Sequence, residues 1–199
     1  VLALRGCEGL GTLAAVGLSA PEVAALLAEL GRTDVTIAGV NHASQTVIAG
    51  LAPALEEIAS ALAAKGRPVT RVPSRYPFHS AALIPASERF HRAIAQVGTR
   101  PPAIPVWSPI DQRLYTGQPG EVAAALAGQL VRPFQFLDAL TRAADAGATR
   151  FFDTTGGRIG RIVTKVLGDR AIVEIPEPSQ VPPPLPQGDV DEPIAIVSM

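Results

Sequence analysis

The sequence predicts an α/β protein in two parts, a small α+β subdomain and a larger layered α/β core. Residues 11–73 follow the order strand, helix, strand, strand, helix, strand, which is the ferredoxin-like order. From residue 74 onward, strand patterns alternate with helix patterns, which indicates parallel strands in a layered sheet. Hydrophobic residues make up 47% of the 199 residues and charged residues 18%. The chain can therefore bury a core, and wholesale disorder is not expected.

Local signals mark each element of residues 11–73. The run GTLAAVGLS reads as a strand, and Ser19 then caps the helix PEVAALLAELG, with Glu22 at the capping-box spacing. The β-rich runs DVTIAGVN and SQTVIAGL are separated by a short turn, so we expect them to pair. The helix APALEEIASALAAKG closes at Gly66, and a last strand, RPVTRVPS, is interrupted by Pro73.

The elements that follow are expected to form the remainder of the α/β core over residues 74–175. A helix is predicted from about Leu83 to Val97, and the proline-bounded run AIPVWSP is predicted as a strand. Two helices, EVAAALAGQLV and QFLDALTRAADAG, are separated by Arg132 and Pro133. The strand ATRFFDT, the helix GRIGRIVTKVLG and the strand RAIVEI complete the order.

The two ends of the chain read as pieces of neighbouring structure. We interpret residues 1–10 as the end of an upstream helix of the same core. Residues 176–192 are predicted to be a linker, because seven of the eighteen residues in PEPSQVPPPLPQGDVDEP are proline. Residues 193–199 read as the first strand of a following domain. The chain starts at Val1 without an initiator methionine, so we expect it to be part of a longer polypeptide.

Bulk properties argue against several classes of function. The net charge is −1 and no lysine or arginine run exists, so nucleic acid is not an expected partner. No stretch approaches the roughly 20 apolar residues of a membrane helix, so no membrane association is expected. Cys7 is the single cysteine, which excludes an internal disulfide framework and a cysteine-rich zinc site. No metal-ligand spacing is found, and a reducing, cytoplasmic location fits.

One histidine stands out as a candidate base. His79 lies in the loop-like run PSRYPFHSAAL, and histidine is the usual general base near neutral pH, although a turn residue is the commoner explanation for a single histidine. The nucleophile is harder to find: the chain has no G-x-S-x-G motif. Ser80 is adjacent to His79 and badly placed for proton transfer, and Cys7 has no obvious base beside it. Arg5 can bind a carboxylate through two bonds, although a surface role is commoner.

Four segments, taken together, resemble one family, the malonyl-CoA:acyl-carrier-protein transacylases and the acyltransferase domains of fatty acid and polyketide synthases. The segments are GVNHASQTVIAG, RYPFHSAALIP, GQLVRPFQFLDAL and AGATRFFDTTGGRIG. The resemblance covers residues 1 to about 170 and matches the C-terminal two thirds of such a domain. It implies a ferredoxin-like subdomain inserted into a partial α/β-hydrolase-like core.

The resemblance also implies roles for particular residues. His79 would be the base of a Ser-His dyad, and Gln129 would be the residue whose carbonyl orients the imidazole. Arg5 would pair with the free carboxylate of malonyl-CoA, and Asn41 would lie on the acyl-pocket side. The serine and its elbow would lie upstream of Val1. We therefore expect that the 199-residue chain alone does not transfer malonyl groups.

Two aromatic residues bear on the choice of extender. Phe78 resembles the last aromatic of the malonyl-type pattern HAFH, in which the ring fills the space that an α-methyl group needs. Tyr76 resembles the first residue of the methylmalonyl-type pattern YASH. The hybrid YPFH favours malonyl on steric grounds and leaves methylmalonyl and other extenders open.

The resemblance implies partners but no bound cofactor. The substrate would be malonyl-CoA or a related acyl-CoA, and the acceptor would be the phosphopantetheine thiol of an acyl carrier protein. The final run DEPIAIVSM resembles the start of a β-ketoacyl synthase domain. This would place a neighbouring ketosynthase in a modular polyketide synthase.

Two other functions stay open at this point. An acyl hydrolase that clears thioesters from carrier proteins would use the same Ser-His chemistry and transfer to water, and Arg5 discriminates because a hydrolase does not need it. A non-catalytic acyltransferase-like scaffold would have no G-x-S-x-G motif upstream of this chain.

Overall fold

The small subdomain has the architecture that the sequence predicts. The computed structural model describes residues 2–97, 99–118 and 120–176. Four strands form one antiparallel sheet in the order β4-β1-β3-β2, with two helices in the connections. This is the ferredoxin-like arrangement, and the prediction is confirmed. The elements are β1 (Thr12–Val16), α1 (Ala20–Glu29), β2 (Val35–His42), β3 (Gln45–Gly50), α2 (Ala52–Ala64) and β4 (Val69–Val72).

One face of this sheet carries the main hydrophobic core. Side chains alternate along a strand, so Ala14 and Val16 of β1 point to the same face. There they join a buried cluster with both helices that includes Val23, Leu26, Ile48, Ile58 and Leu62. Burying each of the larger aliphatic side chains contributes about 1.5–3 kcal/mol.

The Ser19–Glu22 capping box at the start of α1 is present as predicted and contributes about 1 kcal/mol.

The opposite face of the sheet is covered by side chains from later parts of the chain, including residues next to His79. When one face of an antiparallel sheet packs on the core, the other face is often exposed to solvent. Here Leu13 and Val47 point toward it and pack against Phe78 and Phe134, which come from later parts of the chain. Phe134 belongs to a fifth strand, β7 (Phe134–Gln135), which pairs in parallel with β2 and extends the sheet. The sequence did not predict this strand.

The rest of the chain is mainly helical, with short strands. The bounds are α3 (Ile84–Ala95), β5 (Trp107–Ser108), β6 (Arg113–Leu114), α4 (Glu121–Gly128), α5 (Phe136–Asp145), β8 (Arg150–Phe152), α6 (Arg158–Leu167) and β9 (Ile172–Glu174). Strands β8 and β9 pair in parallel across α6, which confirms the predicted alternation for that segment.

The prediction of a strand over AIPVWSP is wrong in extent and pairing. Only Trp107 and Ser108 are extended, and they pair antiparallel with β6 in a short hairpin. The physical reason is the turn that follows directly. The Ser108 hydroxyl accepts hydrogen bonds from the backbone amides of Ile110 and Asp111, at 3.3 and 2.9 Å, which ends the strand.

Helix α4 is anchored at its start by a nearly buried carboxylate. The Glu121 side chain is 6% exposed and forms an ion pair with Arg113. It also accepts hydrogen bonds from the amides of Thr116 and Gly117, both at 2.7 Å. Arg113 and then these amides lower the pKa of Glu121 to about 2. The start of the helix that leads to Gln129 is thereby fixed.

The glycine turn before α6 is held by hydrogen bonds to the side chain of Asp153. Asp153 is buried, and its carboxylate accepts bonds from Thr155 and from the amide of Gly160 at 2.7 Å. Burial alone would raise the pKa of Asp153, but these hydrogen bonds outweigh it and hold the pKa below its usual value. A side chain at Gly160 would approach Val173 to 2.8 Å. Close helix–strand packing therefore requires glycine at residue 160, whereas Gly156 and Gly157 have φ angles of +71° and +89°, which glycine adopts readily.

Some predictions concern residues outside the described part of the chain. The predicted ketosynthase strand, 193–199, and the predicted linker from residue 177 onward lie there. Leu2–Leu4 form a short 3₁₀ turn at the start of residues 1–10. The domain boundaries at residues 10, 73, 175 and 192 stay predictions. Within the described ranges, no helix has the length and apolar character needed to cross a membrane.

Candidate active site

His79 is held in an uncommon backbone conformation by neighbouring main-chain groups. Its φ angle is +62°, in the left-handed region that few residues other than glycine adopt. Such a conformation costs about 1–3 kcal/mol and persists only where the surroundings enforce it. Here the His79 amide donates to the Leu130 carbonyl at 2.8 Å, and the buried Ser80 hydroxyl donates to the Pro77 carbonyl at 2.6 Å. The side chain is thus directed by fixed backbone.

A main-chain carbonyl determines the tautomer of the His79 ring. Nδ1 of His79 lies 3.0 Å from the carbonyl oxygen of Arg132. A carbonyl oxygen can only accept, so the hydrogen bond assigns the proton to Nδ1. The neutral ring then carries its lone pair on Nε2, which is the atom that can accept a proton from a hydroxyl or thiol.

The surroundings of the ring favour this neutral form. His79 is half-buried, and the Phe134 ring meets it edge to face with centroids 5.0 Å apart. Burial lowers the pKa of His79, and the main-chain hydrogen bonds of Arg132 and Gln129 oppose this effect without cancelling it. His79 is therefore neutral, and competent as a base, at neutral pH.

An NMR titration of the ring is expected to place the pKa of His79 below 6.5. The unfolded chain then takes up this proton before the folded chain does. The contribution of His79 to the free energy of unfolding is therefore fully present above pH 6.5 and is lost as the pH falls toward the folded-state pKa. Urea unfolding across this range checks the sign. A His79→Gln variant should lose part of the pH dependence, and a midpoint above 6.5 would contradict the burial argument.

Phe134 reaches the histidine because Gly39 leaves room for it. Gly39 and Phe134 are direct partners in the parallel pairing of β2 with β7. A Cβ atom at Gly39 would lie 2.4 Å from Cδ1 and Cε1 of the Phe134 ring. Real Cβ atoms do not approach so closely, so glycine is required here. Gly39 and Phe134 were not predicted from the sequence as parts of the site.

Gln129 and Arg132 contact His79 through their main chains. Gln129 is the C-terminal cap of α4, and its backbone hydrogen bond acts on the His79 ring, as the Arg132 carbonyl does. Arg132 was missed in the sequence. A signal for it exists, since Pro133 follows: the residue before a proline is biased away from helix, which leaves its carbonyl free. The Arg132 guanidinium forms an ion pair with Asp111. The role of Gln129 in orienting the ring stays a prediction.

Tyr76 and Phe78 form an aromatic pair beside the histidine. Their ring centroids are 5.7 Å apart in an edge-to-face arrangement, and both rings are half-buried. Phe78 packs in two hydrophobic clusters, one on the sheet and one around Cys7 and Leu83, and Tyr76 packs in the second. The run YPFH therefore places two packed aromatic rings directly before the candidate base in the chain.

The other two predicted substrate contacts, Asn41 and Arg5, have different surroundings. Asn41 lies two residues beyond Gly39 on β2, and its amide donates to the Gln45 side chain at 2.8 Å. Arg5 is exposed, and within residues 2–97, 99–118 and 120–176 its guanidinium has no hydrogen-bond or ion-pair partner. Its neighbours Leu4 and Cys7 pack in the same cluster as Tyr76 and Phe78. The residues that flank Arg5 therefore pack with the aromatic pair, whereas the place of Arg5 in the site stays a prediction.

Neither alternative nucleophile within the chain is available. The Ser80 hydroxyl is buried and donates to Pro77, and Cys7 is buried at 3% exposure. A groove of about 580 Å³ on the described surface, lined by Asp111, Glu121 and Arg132 among others, does not include His79. No group of three or more metal-ligating side chains occurs among the residues that the structure describes.

Proteins of known type resemble this chain in sequence. No protein-family model matches it. It is 27% identical over 165 residues to the malonyl CoA-acyl carrier protein transacylase of Escherichia coli, which covers 81% of the chain and 53% of that protein. It is 33% identical over 147 residues to the phenolphthiocerol synthesis polyketide synthase type I Pks15/1 of Mycobacterium bovis, which covers 74% of the chain and 7% of that protein. With the polyketide synthase GfsA of Streptomyces halstedii it shares 30% over 205 residues, 98% of the chain and 2% of that protein.

Solved structures of the same kinds of protein match this chain in fold. The acyltransferase domain from the second module of the salinomycin polyketide synthase matches with a TM-score of 0.75 and 27% identity, over 87% of this chain and 41% of that one. The acyl-carrier-protein S-malonyltransferase of Burkholderia pseudomallei matches with a TM-score of 0.78 and 27% identity, over 87% and 58%. The chain therefore has the α/β fold of polyketide synthase acyltransferase domains and malonyl-CoA:acyl-carrier-protein transacylases, and proteins of these two kinds are its homologues and structural neighbours.

Proposed function

We propose that this chain is the larger part of an acyltransferase that moves a malonyl-type group from coenzyme A to the phosphopantetheine thiol of an acyl carrier protein. The observation that supports it most is the state of His79. Its Nδ1 is bonded to a main-chain carbonyl and its ring is half-buried, so Nε2 is a base at neutral pH. The names of the relatives agree with this reaction class.

The proposed reaction has two similar halves. A serine hydroxyl loses its proton to His79 Nε2 as its oxygen attacks the thioester carbonyl, and the coenzyme A thiol leaves with that proton. The carrier thiol then gives its proton to His79 and attacks the serine ester, and the serine oxygen takes the proton back. No bound cofactor is needed. Gln129 and Arg132 keep the ring in one tautomer through both halves.

The serine is proposed to lie upstream of Val1. The 199 residues contain no G-x-S-x-G motif, and the chain spans only about half the length of the E. coli transacylase. On this basis the isolated chain is expected to be inactive. The proposed neighbours within the longer polypeptide are the rest of the acyltransferase and a ketosynthase domain.

The proposal assigns the substrate contacts as well. Arg5 binds the free carboxylate of the malonyl group, because a guanidinium matches a carboxylate with two parallel bonds. Asn41 lies on the acyl side, and Phe78 beside Tyr76 limits the space for an α-substituent. The fixed packing of Phe78 supports malonyl over methylmalonyl as the extender.

The first experiment is to read the open reading frame upstream of Val1 and to test acylation. A G-x-S-x-G motif there, with a covalent malonyl adduct on its serine in the whole acyltransferase, is the expected result. The absence of the motif would favour the scaffold. A malonyl adduct on the isolated 199-residue chain would refute the assignment of the nucleophile.

Arg5→Ala is expected to slow malonyl transfer far more than acetyl transfer. Each charge-assisted hydrogen bond to the carboxylate is worth about 1.5–3 kcal/mol, so the loss should be about tenfold or more. Stopped-flow acylation with malonyl-CoA and acetyl-CoA measures the ratio. Arg92→Ala, at an exposed arginine of α3, is the control. An unchanged ratio in Arg5→Ala would favour a hydrolase that has no need of a carboxylate site.

A further inference from the structure

The guanidinium of Arg89 binds one short segment of the chain that is distant in sequence. Arg89 lies on α3 and is half-buried. Its Nε and Nη2 donate to the Ala3 carbonyl at 3.1 and 2.8 Å. Nη2 also donates to the Arg5 carbonyl at 3.1 Å and lies 3.5 Å from the Cys7 sulfur. Among the described residues, all recorded hydrogen bonds of this side chain are made to residues 3–7.

The segment that Arg89 holds has little other hydrogen-bonded structure. It contains a 3₁₀ turn over Leu2–Leu4, backbone bonds from Cys7 to Leu4 and from Leu10 to Cys7, and a bond from the Gly6 amide to the Glu8 carboxylate. Gly6 follows Arg5 with a φ angle of +77°, so the chain turns there. No sheet pairing includes residues 3–7 among the described strands. Charge-assisted bonds to carbonyls are about twice as strong as neutral ones, so Arg89 makes a large contribution to fixing this turn.

Arg5 has the opposite distribution of contacts. Its carbonyl is bound to Arg89, whereas its own guanidinium is exposed and makes no polar contact with the described residues. A side chain that must bind a ligand ion loses less entropy on binding when its backbone is already fixed. A flexible turn would let the Arg5 guanidinium move away from the position where the carboxylate of a substrate binds. The binding of a carboxylated acyl group would then weaken more than the binding of an uncharged acyl group.

We propose that Arg89 is a positioning residue for Arg5, and that its bonds to the Ala3 and Arg5 carbonyls set the preference for carboxylated acyl-CoA substrates. This inference rests on the proposed function and extends it to the source of substrate selection. Arg89 does not touch the substrate. It acts by holding the turn that presents Arg5.

The test compares the second-order rate constants for acylation by malonyl-CoA and acetyl-CoA in the whole acyltransferase. Arg89→Met removes the donors and keeps a long apolar stem. The malonyl-to-acetyl ratio is expected to fall about tenfold, the equivalent of about 1.4 kcal/mol, with little change for acetyl-CoA. Arg92→Met, one turn further along the same helix, is the matched control and should leave the ratio unchanged. A purely structural role would lower both rate constants by the same factor, which would overturn the proposal.

Two further variants separate the possible failures. In an Arg5→Ala background, Arg89→Met should cause no additional loss of the ratio, because the effect passes through Arg5. If Arg5→Ala leaves the ratio unchanged, the proposed role of Arg5 fails; if Arg5→Ala lowers it and Arg89→Met does not, only the positioning role fails. If Arg89→Met does not fold, Arg89→Lys decides: it keeps the charge but not the paired geometry, so the ratio should fall, and an unchanged ratio overturns the proposal.

Discussion

Replacement of His79 by alanine is expected to slow malonyl transfer by a factor of about 10²–10⁴, the usual contribution of a positioned general base. The reason is that Nε2 is the proton acceptor that the structure prepares, through the Arg132 carbonyl on Nδ1 and the half-buried ring. The measurement is the rate of serine acylation in the whole acyltransferase. The fold should persist, because the His79 side chain is not part of any of the buried clusters.

The control for this prediction is His91→Ala. His91 lies on α3 with an exposed side chain and has no proposed role, so its loss should leave the rate within about twofold, as for most surface substitutions. In the native protein the acidic limb of the rate profile should follow the lowered pKa of His79. A His79→Ala variant that acylates at the native rate would remove the base from the proposed mechanism.

The ferredoxin-like subdomain was predictable because its signals are local. Ser19 and Glu22 mark the start of α1, and Gly66 lies two residues after the end of α2. Strand β7 gives no such signal: it is two residues long, lies between Pro133 and a helix, and exists because it pairs with Gly39 on β2. Pairing across that distance in sequence depends on tertiary packing, which a local pattern does not encode.

The residues of the candidate site also divide into those that the sequence indicates and those that it does not. Residue type and loop made His79 a candidate base, and the resemblance supplied its role together with Gln129, Arg5, Asn41, Tyr76 and Phe78. Arg89 gives no sequence signal, and Arg132 gives only the proline that follows it, because the contacts that matter run to or from main-chain carbonyls. A carbonyl has the same chemistry in every residue, so the residue type at either end gives little information about the bond.

Gly39→Ala is expected to destabilise the chain and to disturb His79 through Phe134, which pairs with residue 39 and contacts the ring of the histidine. The new Cβ would lie 2.4 Å from the Phe134 ring, and that ring is held between His79 and Phe136 by edge-to-face contacts. Overpacking of this kind costs about 1–3 kcal/mol in the free energy of unfolding. Displacement of Phe134 also exposes the imidazole, so the pKa of His79 should rise from its lowered value toward 6.5.

Gly17→Ala is the matched control for this effect. Its Cβ would lie 2.5 Å from Pro68, at the end of β1 and against a residue that is not part of the site. The variant should therefore lose stability in urea unfolding and keep the native pKa of His79 in an NMR titration. This comparison separates a general loss of stability from a specific change at the histidine.

A second substitution tests whether Phe134 carries the effect of Gly39→Ala. Phe134→Ala removes the ring that the new Cβ would meet, so Gly39→Ala should cost little in that background, and the two changes should be strongly non-additive. Equal costs of Gly39→Ala with and without the Phe134 ring would contradict the coupling. Non-additivity together with a raised His79 pKa would establish that a glycine 40 residues before the histidine keeps it neutral, by making room for the aromatic ring that shields it from water.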